Sequence, residues 1–222
     1  MREAKVARVD LNVPFSEKDR AKALGARWDA AGKTWFVPDG VNPEPFAEWI
    51  EGPSAEFNAR SDRYFIAKGM HSCWKCGKDT TVFGFLLPPG HEQLDMDDDD
   101  PGKDEWVSMD DYCTVDYVDK LLPAVLSRIR AMAPRYQRDF SKTTQDSYFM
   151  NHCDHCGMKQ GDFNLFSEPG SCFFPTNEAE AAQVELIEVH EEFACSAGIA
   201  MGDACNLLGE YGRLASDDPS PR

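Results

Sequence analysis

The alternation of apolar and polar residues changes period several times along this chain, and each change marks an element. Residues 7–13 alternate strictly, with Ala7, Val9, Leu11 and Val13 on one side and Arg8, Asp10 and Asn12 on the other, which predicts a half-buried strand. Pro14 stops it. Ser16 is placed to cap a helix whose first turn carries Glu17 and Asp19, where the helix dipole favours acids, and which ends at Gly25. R-W-D and T-W-F-V-P read as two strands joined by the turn D-A-A-G. Asn42 and Pro43 open one more short helix, with Phe46, Trp49 and Ile50 as its apolar contacts. Strand, helix, hairpin and helix thus make a small module over residues 1–52.

Residues 51–62, E-G-P-S-A-E-F-N-A-R-S-D, read as a linker, after which Y-F-I-A-K-G-M opens a second body as a strand. Acid, proline and glycine dominate residues 88–111, which read as a loop. Val118, Leu121, Leu122, Val125, Ile129 and Met132 recur at helical spacing, predicting a helix over 118–132 that Pro123 either starts or kinks. Y-F-M-N and V-E-L-I-E-V read as strands. Phe193, Ala197, Met201, Ala204 and Leu208 predict a helix over 190–208. The class expected is α+β: the module at 1–52, a larger domain at 63–214 with an acidic loop at 91–111 inserted, and a disordered tail at 215–222.

Two stretches in the larger domain carry chemistry. Residues 71–78 read H-S-C-W-K-C-G-K and residues 152–159 read H-C-D-H-C-G-M-K. Each is a C-x-x-C-G turn between strand-like segments, a weak twofold repeat. Two residues between cysteines let both thiolates face one point, and the glycine lets the backbone turn tightly beneath them. One such turn supplies two ligands, whereas a structural zinc site takes four in a tetrahedron. Cys73, Cys76, Cys153 and Cys156 are therefore expected to share one structural Zn(2+) in a zinc ribbon-like domain. The 76 residues between Cys76 and Cys153 are tolerable because loop-closure cost grows slowly with length. His71, His152 and His155 are expected beside the site rather than in it, and Cys113, Cys172, Cys195 and Cys205, which lack a C-x-x-C partner, as buried thiols.

V-P-F-S-E-K-D-R-A-K-A-L-G-A-R-W-D together with T-W-F-V-P, within residues 6–50, resembles a small bacterial domain of unknown function that also stands at the front of certain plasmid-encoded primases and other DNA-processing proteins. No activity attaches to that domain, so the resemblance implies company in nucleic-acid metabolism and no reaction. The remainder of the chain carries no primase catalytic pattern.

Charge narrows the partners. The formal net charge is −16, yet residues 1–50 balance eight basic against eight acidic residues. Residues 91–119 hold twelve acids and one lysine, while residues 128–142 hold five basic residues and one acid. Arg128, Arg130, Arg135 and Arg138, with Phe163 and Phe166 from an aromatic loop, are candidates for a ligand-contact surface. A protein partner is expected ahead of nucleic acid, because an acidic chain is repelled by phosphates. No G-x-S-x-G, phosphate-loop or dinucleotide pattern is found, no run is long enough to span a bilayer, and no signal peptide is seen; a cytoplasmic, non-enzymatic adaptor for DNA-processing machinery is expected. The rival readings are an acidic inhibitor that imitates DNA through the 91–119 segment, and a zinc enzyme of unknown reaction.

Overall fold

A computed structural model describes residues 8–11, 13, 17–29, 34–46, 49, 57–95 and 105–215. The chain divides into two compact units, Met1–Glu56 and Phe57–Arg222. Both helices and strands are present, and strands dominate.

In the first unit, β1 (Val9–Leu11), α1 (Lys18–Leu24), β2 (Arg27–Asp29) and β3 (Thr34–Val37) form an antiparallel sheet in the order β1-β3-β2 with one helix. Gly25 ends α1 at φ 108°, a left-handed conformation that glycine adopts without steric cost. A 3₁₀ turn, Glu44–Phe46, lies in the span where one more short helix was expected, of which residues 47, 48 and 50 lie outside the described residues. Leu11, Ala21, Ala26, Val37, Phe46 and Trp49 form the core, and the Trp49 indole N–H donates to Glu17 Oε2 at 2.6 Å. The N-cap position of α1 is Glu17 rather than the expected Ser16. Ser16 itself, residues 30–32 of the D-A-A-G turn, and Ile50 lie outside the described residues.

The second unit is built on a nine-stranded sheet. Its strands are β4 (Ala59–Ser61), β5 (Tyr64–Ser72), β6 (Asp79–Leu87), β7 (Glu92–Asp95), β8 (Glu105–Ser108), β9 (Cys113–Leu121), β13 (Glu185–Val189), β14 (Phe193–Met201) and β15 (Arg213–Leu214). They run in the order β15-β13-β5-β6-β9-β14-β4-β7-β8. A small sheet of β10 (Gln137–Ser141), β11 (Asp146–His152) and β12 (Lys159–Gln160) accompanies it, with helices α2 (Pro123–Met132), α3 (Glu178–Ala181) and α4 (Asp203–Tyr211).

The central strands read as unbroken apolar runs because both sheet faces are covered. Tyr64 and Ile66 enter one core with Phe85, Val115, Val125, Ile129, Tyr136, Phe149 and Phe193, whereas Phe65 and Ala67 enter another with Val82, Leu86, Leu165, Phe166, Phe173 and Leu208. Burying each large aromatic or aliphatic side chain contributes about 1.5–3 kcal/mol.

Four expectations change. Residues 118–121 belong to β9, and Pro123 starts α2 rather than kinking a longer helix, because Leu122 is extended (ψ 139°). Residues 193–201 are a strand, not a helix: A-C-S-A-G-I-A is a run of small residues that fits against β9, and a Cβ at Gly198 would lie 2.1 Å from Asp116 Oδ1. The linker at 51–62 stops short of Phe57. Phe57 is buried, Asn58 exchanges side-chain hydrogen bonds of 2.7 and 3.0 Å with the Ala197 backbone, and Ala59–Ser61 pair with β14. The acidic loop folds back as the hairpin β7–β8, Arg60 bonding Glu92 and lying over the Trp106 ring. Residues 96–104, with the D-D-D-D run, lie outside the described residues, as do residues 216–222 of the expected tail; Ala215 itself donates to the Leu186 carbonyl.

Candidate metal centre

The β5–β6 hairpin is longer than the sheet that supports it. β9 pairs with Phe85–Leu87 of β6, so among the described residues the outer edge of β6 from Asp79 to Phe83 has no strand beside it and the hairpin projects as an arm. The first C-x-x-C turn sits at its tip. The Cys73 N–H donates to Lys78 O and the Gly77 N–H to Cys73 O, at 2.9 and 2.8 Å, with Gly77 at φ 68°. The second turn repeats this construction between β11 and β12: the Cys153 N–H donates to Met158 O and the Gly157 N–H to Cys153 O, both at 2.9 Å, with Gly157 at φ 70°.

Side chains of β11 and its turn occupy the open edge of β6 and bring the two tips together. Asn151 accepts from the Phe83 N–H and donates to the Phe83 carbonyl, both at 2.8 Å, in place of a neighbouring strand. Asp154 Oδ2 accepts from the Thr81 N–H and the Thr80 hydroxyl, while the Thr80 Oγ1 accepts from the Asp154 N–H at 2.9 Å. His155 donates through Nε2 to the Asp79 carbonyl at 3.0 Å.

The result is a cluster in which the sulfurs of Cys73, Cys76, Cys153 and Cys156 all lie within 4.8 Å of one another. Cys73 Sγ is 3.7 Å from Cys156 Sγ, and Cys76 Sγ is 3.7 Å from Cys153 Sγ. A tetrahedral zinc with bonds of about 2.3 Å sets its sulfurs about 3.8 Å apart, so the donor set fits such an ion. Cys73 and Cys153 are buried, and Cys76 and Cys156 reach the surface. Burial works to raise the Cys73 thiol, yet the N–H groups of Cys76 and Lys75 aimed at the sulfur, together with the Cys153 and Cys76 thiols, outweigh it and bring the thiol down to about 6. The same contest, with donors from Cys156 and His155, lowers Cys153. Gln160 adds a side-chain N–H to Cys73 Sγ at 3.4 Å. Cys76 goes the other way: the Lys78 N–H works to lower it, yet burial and the sulfurs of Cys73, Cys156 and Cys153 push it up to about 11. It is the proximity of the four sulfurs that would let them hold a metal ion together.

The four cysteines outside the cluster differ from Cys73 and Cys153. Burial pushes Cys113 and Cys195 far up, Cys172 up to about 12 and Cys205 up, as for inert core thiols. The histidine rings face oxygen: His152 Nδ1 lies 3.0 Å from the Arg135 carbonyl and its Nε2 3.2 Å from Asp139 Oδ2. His71 is held below the usual imidazole range by burial, against the nearby Glu168.

The expected contact surface is dispersed. Arg128 is paired with Glu191, and Arg138 with the Asp119 carboxylate and carbonyl. Arg130 lies 5.8 Å over the Phe149 ring, and Arg135 Nη1 donates to the Cys153 carbonyl at 2.7 Å. Phe163 is exposed, but Phe166 is buried, tilted against Phe173 at 4.8 Å and packed on Gly84, so it belongs to the core and not to a contact surface. Sequence reasoning passed over Asn151, Asp154 and Gln160; only their positions beside or within the second turn mark them. It also passed over Asp162, a carboxyl that is 4% exposed.

The second unit is thus a strand-rich α- and β-containing body that assembles one four-thiol cluster from two matched turns. The first carries a recognisable domain: residues 8–51 match the family described as a domain of unknown function (DUF5710). Two Escherichia coli proteins named DNA primase TraC are similar to parts of this chain. One is 57% identical over 60 residues, 27% of this chain, and the other 55% identical over 42 residues, 19% of this chain. The chain spans only 6% and 3% of the length of these relatives. No solved structure matches the chain. Among the described residues, no helix is long and apolar enough to cross a membrane.

Proposed function

We propose that this chain is a non-enzymatic protein that holds one structural zinc ion in a ribbon-like domain and serves DNA-processing machinery as an adaptor, through protein or nucleic-acid contacts. The observation that carries the reading is the convergence of four sulfurs from turns 76 residues apart, with cross-turn separations of 3.7 Å, where backbone donors favour thiolate at Cys73 and Cys153. Cys73, Cys76, Cys153 and Cys156 would hold the ion, and four thiolates fill a tetrahedral shell without leaving a coordination position for substrate. When bound, zinc supplies a crosslink between the β5–β6 arm and the β11–β12 turn; in small zinc peptides such binding is worth about 10–16 kcal/mol at pH 7. The DNA-processing context comes from the first unit, whose likeness to a segment of DNA primase TraC supports it. With that segment a small fraction of the relatives' length, it supports an accessory role rather than primer synthesis.

The test is metal analysis with X-ray absorption on the purified chain. One zinc per chain in a sulfur-only shell, lost on Cys73→Ser with Cys153→Ser, is expected. A metal-free preparation, or a shell containing water or nitrogen, overturns the reading. Affinity capture from native extract, with and without nuclease, then separates protein from nucleic-acid contacts.

A further inference from the structure

The first turn presents a tryptophan to solvent. Trp74 stands between the two cysteines and is 60% exposed, whereas most aromatics of this unit, Phe140, Phe163 and Tyr211 apart, are buried or half-buried. It is not loose: its indole N–H donates to the Lys159 carbonyl at 2.8 Å, across from the other turn. An anchored edge with an open ring is the arrangement of a stacking platform.

Basic groups surround it. Lys75 follows Trp74 in the turn and Lys78 closes it, both exposed, and among the described residues neither has a salt-bridge partner. Lys159 links the platform to a second exposed aromatic, Phe140, whose carbonyl accepts from Lys159 Nζ. Lys159 is also the strand partner of His152, which lines a cleft of about 210 Å³ with Lys68, Arg135 and Tyr136. The acids nearby are mostly spoken for. Asp154 accepts from Thr80 and Thr81, and Asp139 is held below the usual carboxylate range, where His152, the Phe140 N–H and Lys159 outweigh its partial burial. Asp79 stands beside Lys78, so the first turn itself carries two positive charges against one negative.

We infer that this face binds single-stranded nucleic acid, one base stacking on Trp74 with the flanking phosphates on Lys75 and Lys78. Stacking tolerates any base, and spaced lysines follow a backbone without reading sequence. Duplex buries its base faces and cannot offer one to the indole. The overall charge of −16 opposes approach at long range, but a screening length of about 8–10 Å at physiological salt leaves the local charges in control of contact. The inference rests on the structural-zinc reading, since the ion fixes the turn that carries Trp74.

The test is fluorescence anisotropy of a labelled oligothymidylate with the full, zinc-loaded chain, at several salt concentrations. Expected are salt-dependent binding, weaker binding to a matched duplex, and a loss of about 5- to 150-fold for Trp74→Ala. Trp74→Phe retains most of the affinity, and Lys75→Glu with Lys78→Glu lowers the logarithmic salt slope by about 0.7 for each phosphate contact removed. Zinc content is measured on the same samples. A zinc-loaded chain that binds no oligothymidylate at low salt overturns the platform and leaves the metal reading standing. Unchanged affinity in zinc-loaded Trp74→Ala also overturns it. So does a Trp74→Ala protein that keeps its oligonucleotide affinity but loses capture of a protein from nuclease-treated extract, which would make this a protein-docking face.

Discussion

Asp162 is a carboxyl stored where it cannot easily ionise. It is 4% exposed, receives the Tyr117 N–H on Oδ2 at 2.7 Å, and lies close to Asp116, Tyr136 and Tyr148. Tyr117 reaches it from an irregularity in β9, at φ 45°. Burial raises Asp162 from 3.8 to about 8, the Tyr117 N–H opposing the rise and Asp116 adding to it. Between these two values the folded chain keeps a proton that the unfolded chain has released. Stability therefore falls as pH rises through this window and levels off above about pH 8. At pH 7 the cost is about 4 kcal/mol, since each unit of separation is worth about 1.36 kcal/mol. Asp162→Asn keeps an oxygen for the Tyr117 N–H and removes the titration. Urea denaturation at pH 5, 6, 7 and 8, followed by hydrogen exchange in Cys113–Leu121, reports on the unit that contains it. The variant is expected to gain on the parent by about 1.4 kcal/mol for each pH unit between 5 and 7. A difference that stays constant with pH, or a variant that is less stable at pH 7, refutes the assignment of a neutral buried carboxyl.

Asn151→Ala removes the amide that stands in for a strand on β6; leaving the Phe83 N–H and carbonyl unpaired costs about 1–3 kcal/mol each, read by denaturation, and should raise the metal dissociation rate measured against a chelator. Phe166→Ala costs about 3–5 kcal/mol, a loss that an exposed contact residue would not produce. Gly84→Ala places a Cβ 2.8 Å from Phe166 Cζ, and the overpacking costs about 1–3 kcal/mol in the same assay.

The four thiols were legible in the sequence because their signal is local: C-x-x-C-G fixes two ligands and a turn without reference to the rest of the chain. In the first unit the strand at Val9–Leu11 and the helix end at Gly25 were legible for a similar reason, since alternation and a glycine stop are local signals. Elsewhere the pattern misled where burial is two-sided. Val118, Leu121, Phe193 and Ala197 satisfy helical spacing by coincidence, because strands covered on both faces have no polar side to reveal a period of two. The open space at Gly198 that admits Asp116, and the docking of Asn151 on Phe83, depend on a neighbour far away in sequence. Phe166 and Phe163 look alike in an aromatic loop, and only the packing against Gly84 and Phe173 separates them.

The pairing of β4 with β14 has a consequence for biosynthesis. Ala59 finds its partner in Cys195, and β5 finds one of its two in Glu185–Val189, so strands translated first must wait for those translated last. At about 5–20 residues per second, the second C-x-x-C turn follows the first by several seconds, during which the first pair of thiols stands without its counterpart and is open to oxidation. A nascent chain stalled ahead of Cys153 would therefore be the form most vulnerable to peroxide, and one released beyond it the form that resists.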